Sequence, residues 1–105
     1  MIIYIDIDDT ICKTNGTDYS NAQPIPEAIE KANSYYNRGD TIIYWTARGT
    51  GSGIDWSKET IRQLNIWGVS YHEVKFGKPI YDIFIDDKNM NAEDWLNMET
   101  DGLDG

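Results

Sequence analysis

The opening run Met1-Ile2-Ile3-Tyr4-Ile5-Asp6-Ile7-Asp8-Asp9-Thr10 constrains the fold of this 105-residue chain more than any other stretch. Residues 2–7 are continuously apolar except for Asp6. That is the pattern of a strand covered on both faces, and so of a central strand in a parallel sheet. A carboxylate embedded in such a strand needs a compensating partner. A second run repeats the arrangement: residues 81–85 read as a strand, and Asp86-Asp87 follow at its end.

The stretches between complete an alternating pattern. Pro24 and Pro26 announce a helix with Ile25, Ala28, Ile29, Ala32 and Tyr35 at helical spacing and Gly39 as its stop. Residues 41–46 are β-branched and aromatic, which predicts a second strand, and they run into a glycine-rich loop over residues 47–53. Asp55 reads as the N-cap of a helix carrying Ile61, Leu64 and Trp67, closed by Gly68. Residues 69–74 form a third predicted strand, 81–85 the fourth, and a short helix from about Asn91 buries Trp95 and Leu96. This order predicts an α/β fold: a three-layer, Rossmann-like parallel sheet with right-handed crossovers and helices on both faces. One domain is expected over residues 1–98, with 99–105 as a flexible acidic tail.

The net charge of −9 is unevenly spread, because residues 91–105 hold five acids and no base. A chain with so few bases is a poor platform for long nucleic acids, which require basic patches. A small substrate is favoured. Cys12 is the only cysteine, so no internal disulfide can form, and a reducing cytoplasmic setting is expected. No stretch approaches membrane-spanning length.

In open α/β sheets ligands bind beyond the carboxyl ends of the strands. Asp6, Asp8 and Asp9 follow the first predicted strand, Thr46 and Arg48 the second, and Asp86 and Asp87 the fourth. Asp6-Ile7-Asp8-Asp9-Thr10 matches the first motif of the haloacid dehalogenase superfamily, an apolar strand followed by Asp-x-Asp-x-Thr. Thr46 matches the second, Lys78 in Gly77-Lys78-Pro79 the third, and Asp86-Asp87 after Ile83-Phe84-Ile85 the acidic fourth. In this order, over residues 2–90, the chain resembles a capless member of that superfamily. Residues 45–49, 67–72 and 77–82 are also similar in wording to small hydrolases found among capsule and surface-polysaccharide genes.

The resemblance implies an Mg²⁺-dependent phosphohydrolase acting on a small phosphorylated metabolite, with a sugar phosphate as one candidate. Asp6 would be the nucleophile that forms an aspartyl-phosphate, and Asp8 the general acid and base. Asp6, Asp86 and the backbone carbonyl of Asp8 would hold the metal, with Asp87 on metal-bound water or orienting Lys78. Thr46 and Lys78 would bind the phosphate. The residue types suit the chemistry, since a dianionic ester resists a carboxylate until its charge is offset. Arg48 could grip a phosphate or a carboxylate bidentately, or form an ion pair of its own. No cap fits between the motifs, so water would be excluded by loops, by substrate or by a partner copy in a homo-oligomer.

His72 and Cys12 read as structural residues, Trp45 and Trp67 as core, and Trp56 as either core or a substrate platform. Two other functions remain open on the residues alone. A receiver-like signalling module also gathers acids, a threonine and Lys-Pro, but there Lys-Pro follows the last strand. A nucleic-acid 3′-phosphatase suits the capless build and not the acidic surface.

Overall fold

The computed structural model describes residues 1–98, so the expected acidic tail over 99–105 lies outside the described residues. Three parallel strands form the sheet in the order β1 (Ile2–Ile5), β4 (Thr41–Trp45), β5 (Glu73–Lys75). A small antiparallel pair, β2 (Cys12–Lys13) and β3 (Gln23–Pro24), flanks a single 3₁₀ turn at Tyr19–Asn21. Helix α1 (Pro26–Asn37) connects β1 to β4, α2 (Ser57–Ile66) connects β4 to β5, and α3 (Ala92–Asn97) closes the described chain. The α/β class and the parallel sheet follow the reading of the sequence.

The helices start where local chemistry tells them to. Pro26 sits at the first position of α1, where its missing N–H removes nothing the helix uses. The Asp55 carboxylate accepts the Ser57 amide at 2.9 Å, and Asn91 accepts Glu93 N–H at 2.9 Å at the start of α3. Ala28, Ile29, Ala32 and Tyr35 of α1, Leu64 of α2 and Trp95 of α3 pack into one core with Ile5, Ile7, Ile42 and Tyr44. Trp95 also donates its indole N–H to the Tyr35 hydroxyl at 2.8 Å, which satisfies both buried groups.

The layering departs from the expectation of helices on both faces. The crossovers β1–α1–β4 and β4–α2–β5 step the same way across the sheet, and two crossovers of one hand then place both helices on one face. That face carries Ile3, Ile5, Ile42 and Tyr44. On the other face Ile2 is 70% exposed and Tyr4 51%. Covering it would require the chain to reverse and add a strand at the free edge of β1.

Residues 81–85, expected as a fourth strand, do not form one. Every residue from 79 to 91 is exposed, Ile83 at 76% and Ile85 at 92%. The chain length explains why. Only five residues separate Lys75 from Tyr81, whereas a parallel crossover takes about a dozen. The apolar run is there, but the connection that would return it to the start of the sheet is short. The third strand is likewise shorter and later than residues 69–74, because Val69 is spent on closing α2 through its N–H to the Leu64 carbonyl at 2.9 Å.

Candidate active site

Asp6 is the first residue beyond β1, and its own chain continues straight into a turn. The Thr10 and Ile11 amides both return to the Ile7 carbonyl, and Asp9 takes a left-handed φ of 61°, a conformation that aspartate tolerates better than most residues. This reversal brings Asp6 and Asp8 to the same end of the sheet in different surroundings, which two-residue spacing by itself did not guarantee.

Asp6 accepts the Ile7 amide on one carboxylate oxygen at 2.8 Å and faces the Lys78 ammonium across 3.5 Å with the other. Its side chain is half-buried. Burial pushes its pKa above the ordinary carboxylate value, and Lys78 opposes that rise. Lys78 is held in place by its neighbours: its amide reaches the Thr46 carbonyl at 3.1 Å, and its ammonium lies over the rings of Trp45 and Tyr81.

Asp8 is held quite differently. Arg48 Nε and one terminal nitrogen grip its two oxygens at 2.9 Å each, a bidentate fork, and the Thr14 hydroxyl donates at 2.5 Å. Burial alone would raise the Asp8 pKa, but the Arg48 and Thr14 hydrogen bonds outweigh it and hold the carboxyl below its usual range. The other Arg48 nitrogen donates to Thr60 at 3.1 Å and Gln63 at 2.6 Å, while the guanidinium stacks 5.0 Å from the Tyr19 ring. Gln63 in turn donates to the Tyr19 carbonyl at 2.6 Å.

Arg48 is therefore 2% exposed and held by four hydrogen bonds. Of the two roles the sequence left open, the structure places it in an ion pair, one that is buried instead of lying on the surface. Four of its five N–H donors are spent on protein partners, and its burial keeps it away from a substrate phosphate. Thr46 is also fully buried, and its hydroxyl accepts the Arg48 amide at 3.1 Å, so here it shapes the loop instead of pointing at a ligand. The sequence reading missed Thr14, Tyr19, Thr60 and Gln63. Thr60 and Gln63 carried a signal: the buried face of α2 holds two polar residues beside Leu64, not the expected Ile61, Leu64 and Trp67. Polar groups on a core-facing helical stripe imply a buried partner.

The structure does not gather Asp86 and Asp87 with Asp6 and Asp8. With residues 81–85 outside the sheet, both lie in an exposed turn, where they interact chiefly with each other and with the Lys88 amide. Among the described residues no group of three or more His, Cys, Asp or Glu could hold a metal ion. Asp8 is occupied by Arg48, and the cation beside Asp6 is Lys78. The residues as placed do not fit the magnesium ion that the resemblance implies.

His72 and Cys12 take structural positions. The His72 ring accepts the Ile42 amide at 3.1 Å and stacks on Tyr36, while Cys12 is buried, its thiol pushed up to about 11 mainly by that burial. Among the described residues no helix is long and apolar enough to cross a membrane.

No protein-family model matches this chain, and no curated protein matches it. It is similar to the crystal structure of an MCSG target from Vibrio cholerae, with 27% identity and a TM-score of 0.82 over 92% of this chain and 88% of that one. The similarity extends the α/β fold to a second sequence.

Proposed function

We propose that this protein is a phosphohydrolase of the haloacid dehalogenase type, a capless α/β phosphatase in which Asp6 takes phosphate from a small phosphorylated metabolite. The observation that carries the reading is the Asp6–Lys78 pair: a half-buried carboxylate at the carboxyl end of β1, 3.5 Å from an ammonium fixed by two aromatic rings. A dianionic ester needs both a nucleophile and a positive charge at one point, and these two side chains supply them. Asp8, Thr46 and Lys78 follow one another in the chain in the order of the motifs that the resemblance names.

In the first step an Asp6 oxygen bonds to phosphorus as the ester P–O bond breaks, and the leaving oxygen departs with the electron pair and takes a proton from solvent. Asp8 is a poor proton donor at this stage, because Arg48 and Thr14 hold it ionised. In the second step water attacks phosphorus, Asp8 accepts its proton, and the bond to Asp6 breaks to return the carboxylate and free phosphate. Arg48 and Thr14 thus fix the position of Asp8 and keep it ionised, open to that proton though made a weaker base by the same hold.

The reading is tested by phosphate release from p-nitrophenyl phosphate by wild-type protein, with EDTA and then with added Mg²⁺, alongside Asp86→Asn. Turnover is expected. Turnover that requires Mg²⁺ and is lost in Asp86→Asn would mean that Asp86 joins Asp6 in the working enzyme. Phosphate binding without turnover under any condition would refute the hydrolase and leave a phosphate-binding module.

A further inference from the structure

We infer that a cleft separated from the Asp8–Arg48 ion pair by the Tyr19 ring receives the leaving group and selects an uncharged alcohol with a flat apolar ring face, a sugar or a phenol, with Trp56 as the binding residue. This deepens the phosphohydrolase reading and rests on it.

The cleft has a volume of about 510 Å³, within the usual range for a small-molecule site, and is drawn from the three segments that follow Asp8, Thr46 and Lys78. Thr17 and Tyr19 come from the connection between β2 and β3, Ala47 to Trp56 from the loop that begins one residue after Thr46, and Ile80 stands two residues after Lys78. The Tyr19 ring is the shared wall. One neighbour is the Arg48 guanidinium that grips Asp8, at 5.0 Å, and the other is Trp56, edge to face at 5.1 Å. A molecule in the cleft is thus one ring away from the Asp8 ion pair.

The lining fixes the chemistry. No carboxylate, ammonium or guanidinium contributes to it. In a chain of net charge −9, a second phosphate or a carboxylate placed there would lose its water with no cation in return. Trp56, Tyr19, Ile54 and Ile80 offer flat and apolar surface, and Ile54 and Ile80 are 57% and 71% exposed, available for a ligand to cover. The hydroxyls of Thr17 and Ser52 supply a few polar contacts at the rim, the combination that orients a neutral, hydroxyl-bearing ring. The loop folds back tightly on itself at Gly49. Gly49 has φ +83°, and a Cβ there would lie 2.2 Å from the Ile54 carbonyl oxygen, so glycine allows the chain to fold back and form the wall.

The test compares glucose 1-phosphate, p-nitrophenyl phosphate and 3-phosphoglycerate, a sugar, an aryl and an acidic ester. For wild-type protein, KM for the two ring esters is expected to lie at least about tenfold below that for 3-phosphoglycerate. Trp56→Ala is expected to raise KM for the ring esters about tenfold with a smaller change in kcat, and Trp56→Phe to recover most of it. Ile80→Lys, at an exposed position, is expected to improve 3-phosphoglycerate selectively. Calorimetric titration of the same three esters into the Asp6→Asn protein reads binding without turnover, and Trp56→Ala in that background is expected to weaken the ring esters alone.

A lower KM for glucose 1-phosphate would identify the sugar and a lower one for p-nitrophenyl phosphate the phenol; either supports the assignment. Equal handling of all three esters by wild type, or indifference of the ring esters to Trp56→Ala and of 3-phosphoglycerate to Ile80→Lys, would overturn it. Ring-selective binding with no hydrolysis would overturn the phosphohydrolase and keep the cleft.

Discussion

Replacing Arg48 by methionine tests whether the arginine is an interior strut or a hand extended to substrate. The side chain makes four hydrogen bonds, two to the Asp8 carboxylate and one each to Thr60 and Gln63. Methionine fills similar volume and makes none. Asp8, whose side chain is 21% exposed, would keep Thr14 and partial hydration, while the Thr60 and Gln63 oxygens would be left buried and unpaired. Removing one partner of a buried ion pair costs about 3–5 kcal/mol, and the partial exposure of Asp8 argues for about 3. With an unfolding entropy of about 2.1 cal/mol/K per residue over 105 residues, that corresponds to roughly 14 °C in Tm.

Urea unfolding at pH 7 reads the loss directly, and Asp8→Asn combined with Arg48→Met should recover part of it. The pH dependence has a definite sign. The folded-state pKa of Asp8 is lowered, so its contribution is fully present above the ordinary value of 3.8 and disappears as pH falls through the lowered one. The gap between wild type and Arg48→Met should therefore close under acid. A loss below about 1 kcal/mol, flat with pH, is what a surface pair would give and would refute the buried fork.

Lys78→Met removes the charge that opposes the burial-driven rise of the Asp6 pKa, so the acid limb of phosphate release should move to higher pH; an unmoved limb would separate Lys78 from Asp6. Ile85→Lys should change stability by less than about 0.5 kcal/mol, since the side chain is 92% exposed. A loss of about 2 kcal/mol or more in urea unfolding would mean that residues 81–85 are buried in solution. The Tyr44 hydroxyl is buried with no hydrogen-bond partner among the described residues, so Tyr44→Phe should be neutral or stabilising by about 1 kcal/mol in thermal unfolding. A clear destabilisation would require a partner for that hydroxyl.

Local chemistry made much of this fold legible. The apolar run around Ile3 and Ile5, Pro26 at the start of α1, the Asn91 cap of α3 and the β-branched run of β4 each dictate their element from a few neighbouring residues, whereas α2 is capped by Trp56, one residue after the expected Asp55. What could not be read was whatever depends on distance through space. The run at residues 81–85 has the composition of a strand, but the five-residue connection from β5 and the same-direction steps of the two crossovers leave it outside the sheet. Asp86 and Asp87 go with it. At the site, Asp6 and Lys78 come together as their motif positions suggest, whereas the bidentate hold of Arg48 on Asp8 joins residues 40 positions apart and needs α2 to supply Thr60 and Gln63. A one-dimensional pattern records that Arg48 can fork onto a carboxylate, not which carboxylate it will meet.

Asp6 is the atom source on which the proposed reaction turns, and its replacement by asparagine changes one oxygen for a nitrogen at nearly constant shape. Inorganic phosphate released from p-nitrophenyl phosphate should fall by on the order of a thousandfold or more in Asp6→Asn, with circular dichroism and urea midpoint showing an intact fold. An Asp6→Asn protein that stays folded and releases phosphate at the wild-type rate would contradict Asp6 as the nucleophile.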